Sequence, residues 1–206
     1  QQVFCLIDKG RVMQMPFEGL TLLDYAINAS LVISNIALKK HDKAGLITFS
    51  DNISNMLPAQ RKADQIRHIM ELLYNQKTKY QETDYERLYG TIRHKIKQRS
   101  LLLLFTNFET LNGAQRQLPY LRAMAKHHLL VVIFFENTEL HAELHKRATN
   151  TEEVYTKAIA QKFDYDKRQI VKQLQQHGIH AILTPPRDLT VNTINKYLEL
   201  KARGLI

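Results

Sequence analysis

Four short polar clusters hold the side chains with which this chain could do chemistry: Asp8, Ser50-Asp51, Thr83-Asp84 and Thr106-Asn107. Three of them stand where an apolar run stops. Val3-Phe4-Cys5-Leu6-Ile7 ends at Asp8, Ala44-Gly45-Leu46-Ile47-Thr48-Phe49 ends at Ser50, and Leu101 to Phe105 ends at Thr106. Apolar runs of that length read as buried strands, and open α/β sheets place ligand sites beyond the carboxyl ends of their strands. Carboxylates, hydroxyls and an amide gathered at one edge are hard oxygen donors of the kind that hold Mg²⁺. Each also has a structural use, because Thr and Asp suit helix N-caps and Asp and Asn suit turns.

The elements that must position these clusters follow from periodicity. After the first strand, the chain passes Pro16 and Gly19 into an apolar helix from Leu20 to Leu38. Asp24, Asn28 and Asn35 lie within it, so it reads as a helix buried against a sheet and not as a membrane span. A turn at Ser50-Asp51-Asn52 leads to Ile53–Leu57, expected as a short antiparallel edge strand ended by Pro58. Ile66, Ile69, Met70 and Leu73 mark an amphipathic helix over Lys62 to Tyr74, and Leu88, Ile92 and Ile96 mark another that starts after Thr83-Asp84 and is basic outside its apolar stripe. Asn112-Gly113 reads as a turn and Pro119 as the first turn of a helix to His127. Leu129 to Phe135 is a further buried strand. Asn137 or Thr138 is expected to cap a short helix to Leu144, and a longer helix runs from Thr151 to about His177-Gly178. Ile179 to Leu183 is the last strand, stopped by Pro185-Pro186, and Leu189 to Lys201 the closing helix. Strands alternating with helices require parallel right-handed crossovers. The expected fold is therefore a Rossmann-like three-layer α/β sandwich, with a mostly parallel sheet and one antiparallel edge strand.

At 206 residues the chain suits one domain, residues 1–206, and the abrupt start at Gln1-Gln2 reads as the C-terminal part of a longer protein. A net charge of +9 favours acidic partners. Cys5, the single cysteine, excludes an internal disulfide and sits in a strand as a small core residue. Phosphate-loop, dinucleotide and serine-hydrolase motifs are absent. The histidines are scattered; His141 and His145 share a helix face but lack the glutamate of a zinc-protease pattern. Nucleic acid is not expected as a partner, since no basic stretch is interleaved with aromatic residues.

The order of strand, Asp8, polar loop, long helix, Thr83-Asp84 loop and a strand ending in Thr106-Asn107 resembles the von Willebrand factor A fold with its metal-ion-dependent adhesion site. The strings IDKGRVM, GLTLLDYAINAS, DKAGLITFSD, TDYERL, LLLLFTNFE and NKYLELKARG resemble the bacterial family called domain of unknown function 58. The resemblance implies a metal motif of Asp-x-Ser-x-Ser, a loop Thr and a second Asp. Asp8 and Thr83 match it, but Gly10 and Val12 stand at the serine positions and Asn107 at the second acid. The implied metal set is thus a degenerate Asp8, Thr83 and Asn107; no cofactor is expected, and any Mg²⁺ held there would be bound weakly and through water. Lys9 or Arg11 is expected to pair with Asp8 in place of the ion.

The resemblance further implies a non-enzymatic protein–protein interaction module that works with a MoxR-type AAA+ ATPase or its client proteins. Its partner-binding residues would be Asp8, Gly10, Arg11, Ser50, Asp51, Thr83, Asp84 and Asn107. The expected location is cytoplasmic, at the membrane's cytoplasmic face if the parent protein is anchored. The alternative is a metal-dependent PIN-like nuclease using Asp8, Asp51 and Asp84.

Overall fold

The computed structural model describes residues 1–76, 78–137 and 151–206. The expected helix to Leu144 and the His141/His145 pair lie outside the described residues. A six-stranded sheet runs in the order β5-β4-β1-β6-β7-β8. Its strands are β1 (Gln2–Asp8), β4 (Lys43–Phe49), β5 (Ile53–Gln60), β6 (Leu101–Phe105), β7 (Leu129–Phe135) and β8 (His180–Thr184). All pair in parallel except β5, which is antiparallel to β4 at one edge. The Rossmann-like sandwich expected from the alternation of strands and helices is what the chain forms.

Side-chain alternation along β1 sorts the core into two layers. Val3, Cys5 and Ile7 face α1 (Leu22–Lys39), α2 (Gln65–Tyr74) and α6 (Leu189–Ala202), contributing to a core with Ile33, Ile69 and Tyr197. Phe4 and Leu6 face α3 (Tyr85–Lys95), α4 (Leu111–Ala125) and α5 (Thr151–Gln176), with Leu88, Leu121 and Ile170. Cys5 is buried beside Ser30 and Ser34, and burial pushes its thiol up to about 11, so it behaves as a core residue.

Several local expectations are corrected. Residues Pro16–Phe17 and Leu20–Thr21 form a two-strand hairpin, β2 and β3, before α1 begins at Leu22. Thr21 caps that helix in a capping box with Asp24, whose carboxylate accepts the Thr21 N–H at 2.8 Å. Strand β5 runs through Pro58 to Gln60, because an edge strand tolerates a missing N–H. The Pro58 carbonyl accepts from Gln65 Nε2 at 3.0 Å. Helix α4 starts at Leu111, not Pro119: Thr110 accepts from Gly113 N, so Asn112-Gly113 joins the first turn. Pro119 then sits on an exposed face, where water can satisfy the freed carbonyl. Among the described residues no helix is long and apolar enough to cross a membrane.

The last helix is tied down by Asp42, which is 4% exposed and accepts from Tyr197 Oη, Lys201 Nζ and the Gln1 amino group. Burial raises its pKa, but these donors together bring it below the usual carboxylate range. A depressed folded pKa means the contribution is present above the unfolded value and is lost as pH falls through the folded one. Asp42→Ala should cost about 2–4 kcal/mol near neutral pH, and the deficit should shrink in acid; urea unfolding across pH checks both.

Candidate functional site

Strands β4, β1 and β6 are parallel neighbours in register, with Asp8 opposite Phe49 and Ile7 opposite Phe105. Their ends therefore carry Ser50-Asp51, Asp8 and Thr106-Asn107 to one edge. The Thr83 loop is pinned against that edge by backbone bonds, Arg11 N to Gln81 O at 3.1 Å and Asp84 N to Ser50 O at 2.9 Å. The result is a cleft of about 90 Å³ lined by Asp8, Arg11, Val12, Thr83, Tyr85 and Asn107, with Glu82 and Glu109 at its rim.

Asp8 is fully buried and both carboxylate oxygens are engaged. Oδ1 accepts from Gly10 N and from Thr83 Oγ1, each at 2.7 Å. Oδ2 accepts from Thr106 Oγ1 at 2.7 Å and from Tyr85 Oη at 3.4 Å, and those two hydroxyls lie 2.7 Å apart. Burial pushes the Asp8 carboxyl above its ordinary value, and the bonds from Thr106, Gly10, Thr83 and Tyr85 only partly offset it. All four donors are neutral. Arg11 does not pair with Asp8 as expected: its guanidinium lies 3.5 Å from both Glu82 and Glu109, over the mouth of the cleft.

Gly10 explains how Thr83 comes so close. A Cβ at residue 10 would lie 2.0 Å from Thr83 Oγ1 and 3.0 Å from Asp8 Oδ1. The space a serine would occupy is filled by the threonine hydroxyl.

Asn107 is held by different neighbours. Its Oδ1 accepts from Lys167 Nζ at 2.6 Å and from Phe108 N at 3.0 Å, and Nδ2 donates to Val12 O at 3.4 Å. Lys167 is 9% exposed, and its ammonium sits 5.5 Å from the Phe134 ring centroid. Burial lowers its pKa to about 7 against the opposing pull of Glu109 and Glu136. It borders a second cavity of about 120 Å³ that shares Asn107 and Glu109 with the cleft.

Of the residues singled out in the sequence, Asp8, Gly10, Arg11, Thr83 and Asn107 converge here. Ser50, Asp51 and Asp84 lie alongside in local roles: Asp51 accepts from Ser50 Oγ and Asn52 Nδ2 at 2.9 Å, and Asp84 caps α3 by accepting Arg87 N at 2.8 Å. Among the described residues, no three His, Cys, Asp or Glu side chains are grouped closely enough to hold a metal ion, so Asp8, Asp51 and Asp84 are not brought together as a cluster. Tyr85 and Lys167 escaped the sequence reading. Lys167 left a signal, standing in the stripe Ala160, Phe163, Lys167, Ile170, Leu174 where the spacing calls for an apolar residue.

The family described as "Protein of unknown function DUF58" matches residues 1–169. The chain belongs to the DUF58 family. Its fold is VWA-like: the DUF58 chain superposes on conserved hypothetical protein BatB from Bacteroides thetaiotaomicron with a TM-score of 0.55 at 12% identity, covering 98% of each chain. It superposes on the SpRpn10 VWA domain with a TM-score of 0.50 at 12% identity, covering 95% of this chain and 94% of that one. The PilB minor pilin from Streptococcus sanguinis gives 0.58 at 7% identity, with all of this chain covering 62% of the pilin. No curated protein matches this DUF58 chain in sequence.

Proposed function

We propose that this DUF58 domain is a non-enzymatic protein–protein interaction module whose VWA-like edge works without a bound Mg²⁺, as an adaptor for a MoxR-type AAA+ ATPase or its client proteins at the cytoplasmic face of a membrane. The observation that carries the reading is the closed hydrogen-bond set of Asp8. Mg²⁺ demands near-octahedral oxygen ligands and gives up its waters reluctantly. Here Gly10 and Val12 offer no hydroxyl, Thr83 spends its own on Asp8, and Asn107 gives its carbonyl to Lys167. The residues present do not fit the ion. The VWA-like fold supports a docking role, and the family resemblance supports the choice of ATPase.

Because Asp8 is fully buried, it shapes the edge while rim residues such as Arg11 meet the partner. Asp8→Asn is a better probe than alanine, since an amide can keep most of the bonds that an alanine would orphan. Calorimetric titration of Mg²⁺ should show no micromolar binding, and Arg11→Glu should weaken capture of a purified MoxR-type ATPase about tenfold while Asp8→Asn weakens it less. Micromolar Mg²⁺ binding that disappears in Asp8→Asn, or capture indifferent to Arg11→Glu, would remove the proposal.

A further inference from the structure

The positive charge of this chain is not spread evenly. At the edge opposite Asp8, where the parallel strands begin, exposed cations gather at three corners: Lys39, Lys40 and Lys43 between α1 and β4, Lys97 and Arg99 before β6, and Lys126 before β7. Among the described residues none of these six enters an ion pair. Asp42, which precedes Lys43, is buried and already shared by Lys201 and the Gln1 amino group. At the Asp8 edge cations meet acids more often: Arg11 is shared by Glu82 and Glu109, and Arg87 is paired with Asp84, while Arg116 on the cleft wall enters no ion pair among the described residues.

Helix dipoles favour cations at helix C-termini, which accounts for Lys39, Lys40 and Lys126. Lys97 likewise donates to the Arg93 carbonyl in the last turn of α3, at 3.2 Å, but helix ends do not account for Lys43, the first residue of a strand, or for Arg99, in the connection between α3 and β6. Strands β4, β1, β6 and β7 are adjacent, so the three corners line one face about 15 Å across.

We propose that this basic edge is an electrostatic docking face for an anionic phospholipid bilayer, which holds the domain with its Asp8 edge turned away from the lipid. Each Lys or Arg near an anionic leaflet adds an increment of binding, and six unpaired ones make a measurable sum. Nucleic acid fits less well. Single-strand binders stack bases on exposed aromatic rings, and the most exposed aromatic residues described, Tyr74, Tyr155 and Tyr165, belong to α2 and α5 and not to these corners. Seven residues of β1 separate the two edges by about 20 Å, which sets the height of the cleft above the headgroups.

Co-sedimentation of the domain with phosphatidylcholine vesicles, with and without phosphatidylglycerol, tests this. Binding should require phosphatidylglycerol, and the combined variant Lys97→Glu, Arg99→Glu, Lys126→Glu should lose at least about tenfold in partition. Arg187→Glu, at the opposite edge, should leave it unchanged. Thermal unfolding confirms that the variants, all at exposed positions, remain folded. Equal binding to neutral vesicles, an unaffected triple variant, or displacement from vesicles by single-stranded DNA would overturn the proposal.

Discussion

Gly10→Ala should destabilise the domain by about 2–3 kcal/mol, through one methyl group placed where the Thr83 hydroxyl now sits. The backbone at residue 10 is extended, with φ −75° and ψ 179°, a conformation any residue adopts, so the cost is one of space alone. The new Cβ would stand 2.0 Å from Thr83 Oγ1, too close for any heavy atom. Thr83 would have to withdraw, and Asp8 would lose a 2.7 Å hydrogen bond inside a fully buried site. Thr83→Ala alone should cost about 1–2 kcal/mol through the same bond. In the Thr83→Ala background the 2.0 Å clash is gone and only the 3.0 Å approaches to Asp8 Oδ1 and Gln81 O remain, so Gly10→Ala should then cost about 1 kcal/mol less than in the wild type. Urea unfolding of the four proteins measures the coupling, and strictly additive effects would mean that Gly10 is required for some other reason.

Lys167→Met should raise stability by about 2–4 kcal/mol below pH 7. The direction follows from the folded pKa of Lys167, lowered to about 7 by burial, against 10.5 in the unfolded chain. Below pH 7 both states carry the proton, and the folded state bears the full cost of an ammonium kept from water. Between pH 7 and about 10.5 the unfolded chain binds the extra proton, so wild-type stability climbs with pH and the advantage of methionine fades. The bond to Asn107 and the Phe134 ring offset part of the cost, which keeps the gain below the full shift. Denaturation at pH 6 and pH 9 reads it. A methionine variant less stable at pH 6 would show that the Lys167–Asn107 pair outweighs its desolvation.

How much was legible in the sequence depended on whether a feature was local. Strands β6 and β7 lie within the expected residues, because uninterrupted apolar runs between polar stops leave no alternative register. The parallel sheet followed from their alternation with helices. Pro119 suits the first turn of a helix, but Thr110 caps the same helix nine residues earlier, and an exposed face tolerates the proline inside it. The hairpin before α1 has strands of two residues each, too short for any period. At the candidate site, Asp8 was visible as an acid ending an apolar run. Its partners Thr83, Tyr85 and Thr106 come from sequence separations of 75, 77 and 98, which no local pattern encodes. Lys9 and Arg11 are the cations next to Asp8 in sequence, whereas the one that meets Asn107 comes from α5, a separation of 60.

Strand β5 leaves one side of the sheet without a neighbour, and an open row of amides there invites a second molecule to zip on. Near its end the strand departs from a regular ladder: the Gln65 amide bridges the carbonyls of Pro58 and Ala44, at 3.0 and 2.7 Å. The register shift between Ala44 and Leu46 bends the ladder at the same place. Copies of the domain crowded together therefore meet a blunted margin, which guards against edge-to-edge pairing in a protein whose sheet is packed with leucine, isoleucine, valine and phenylalanine.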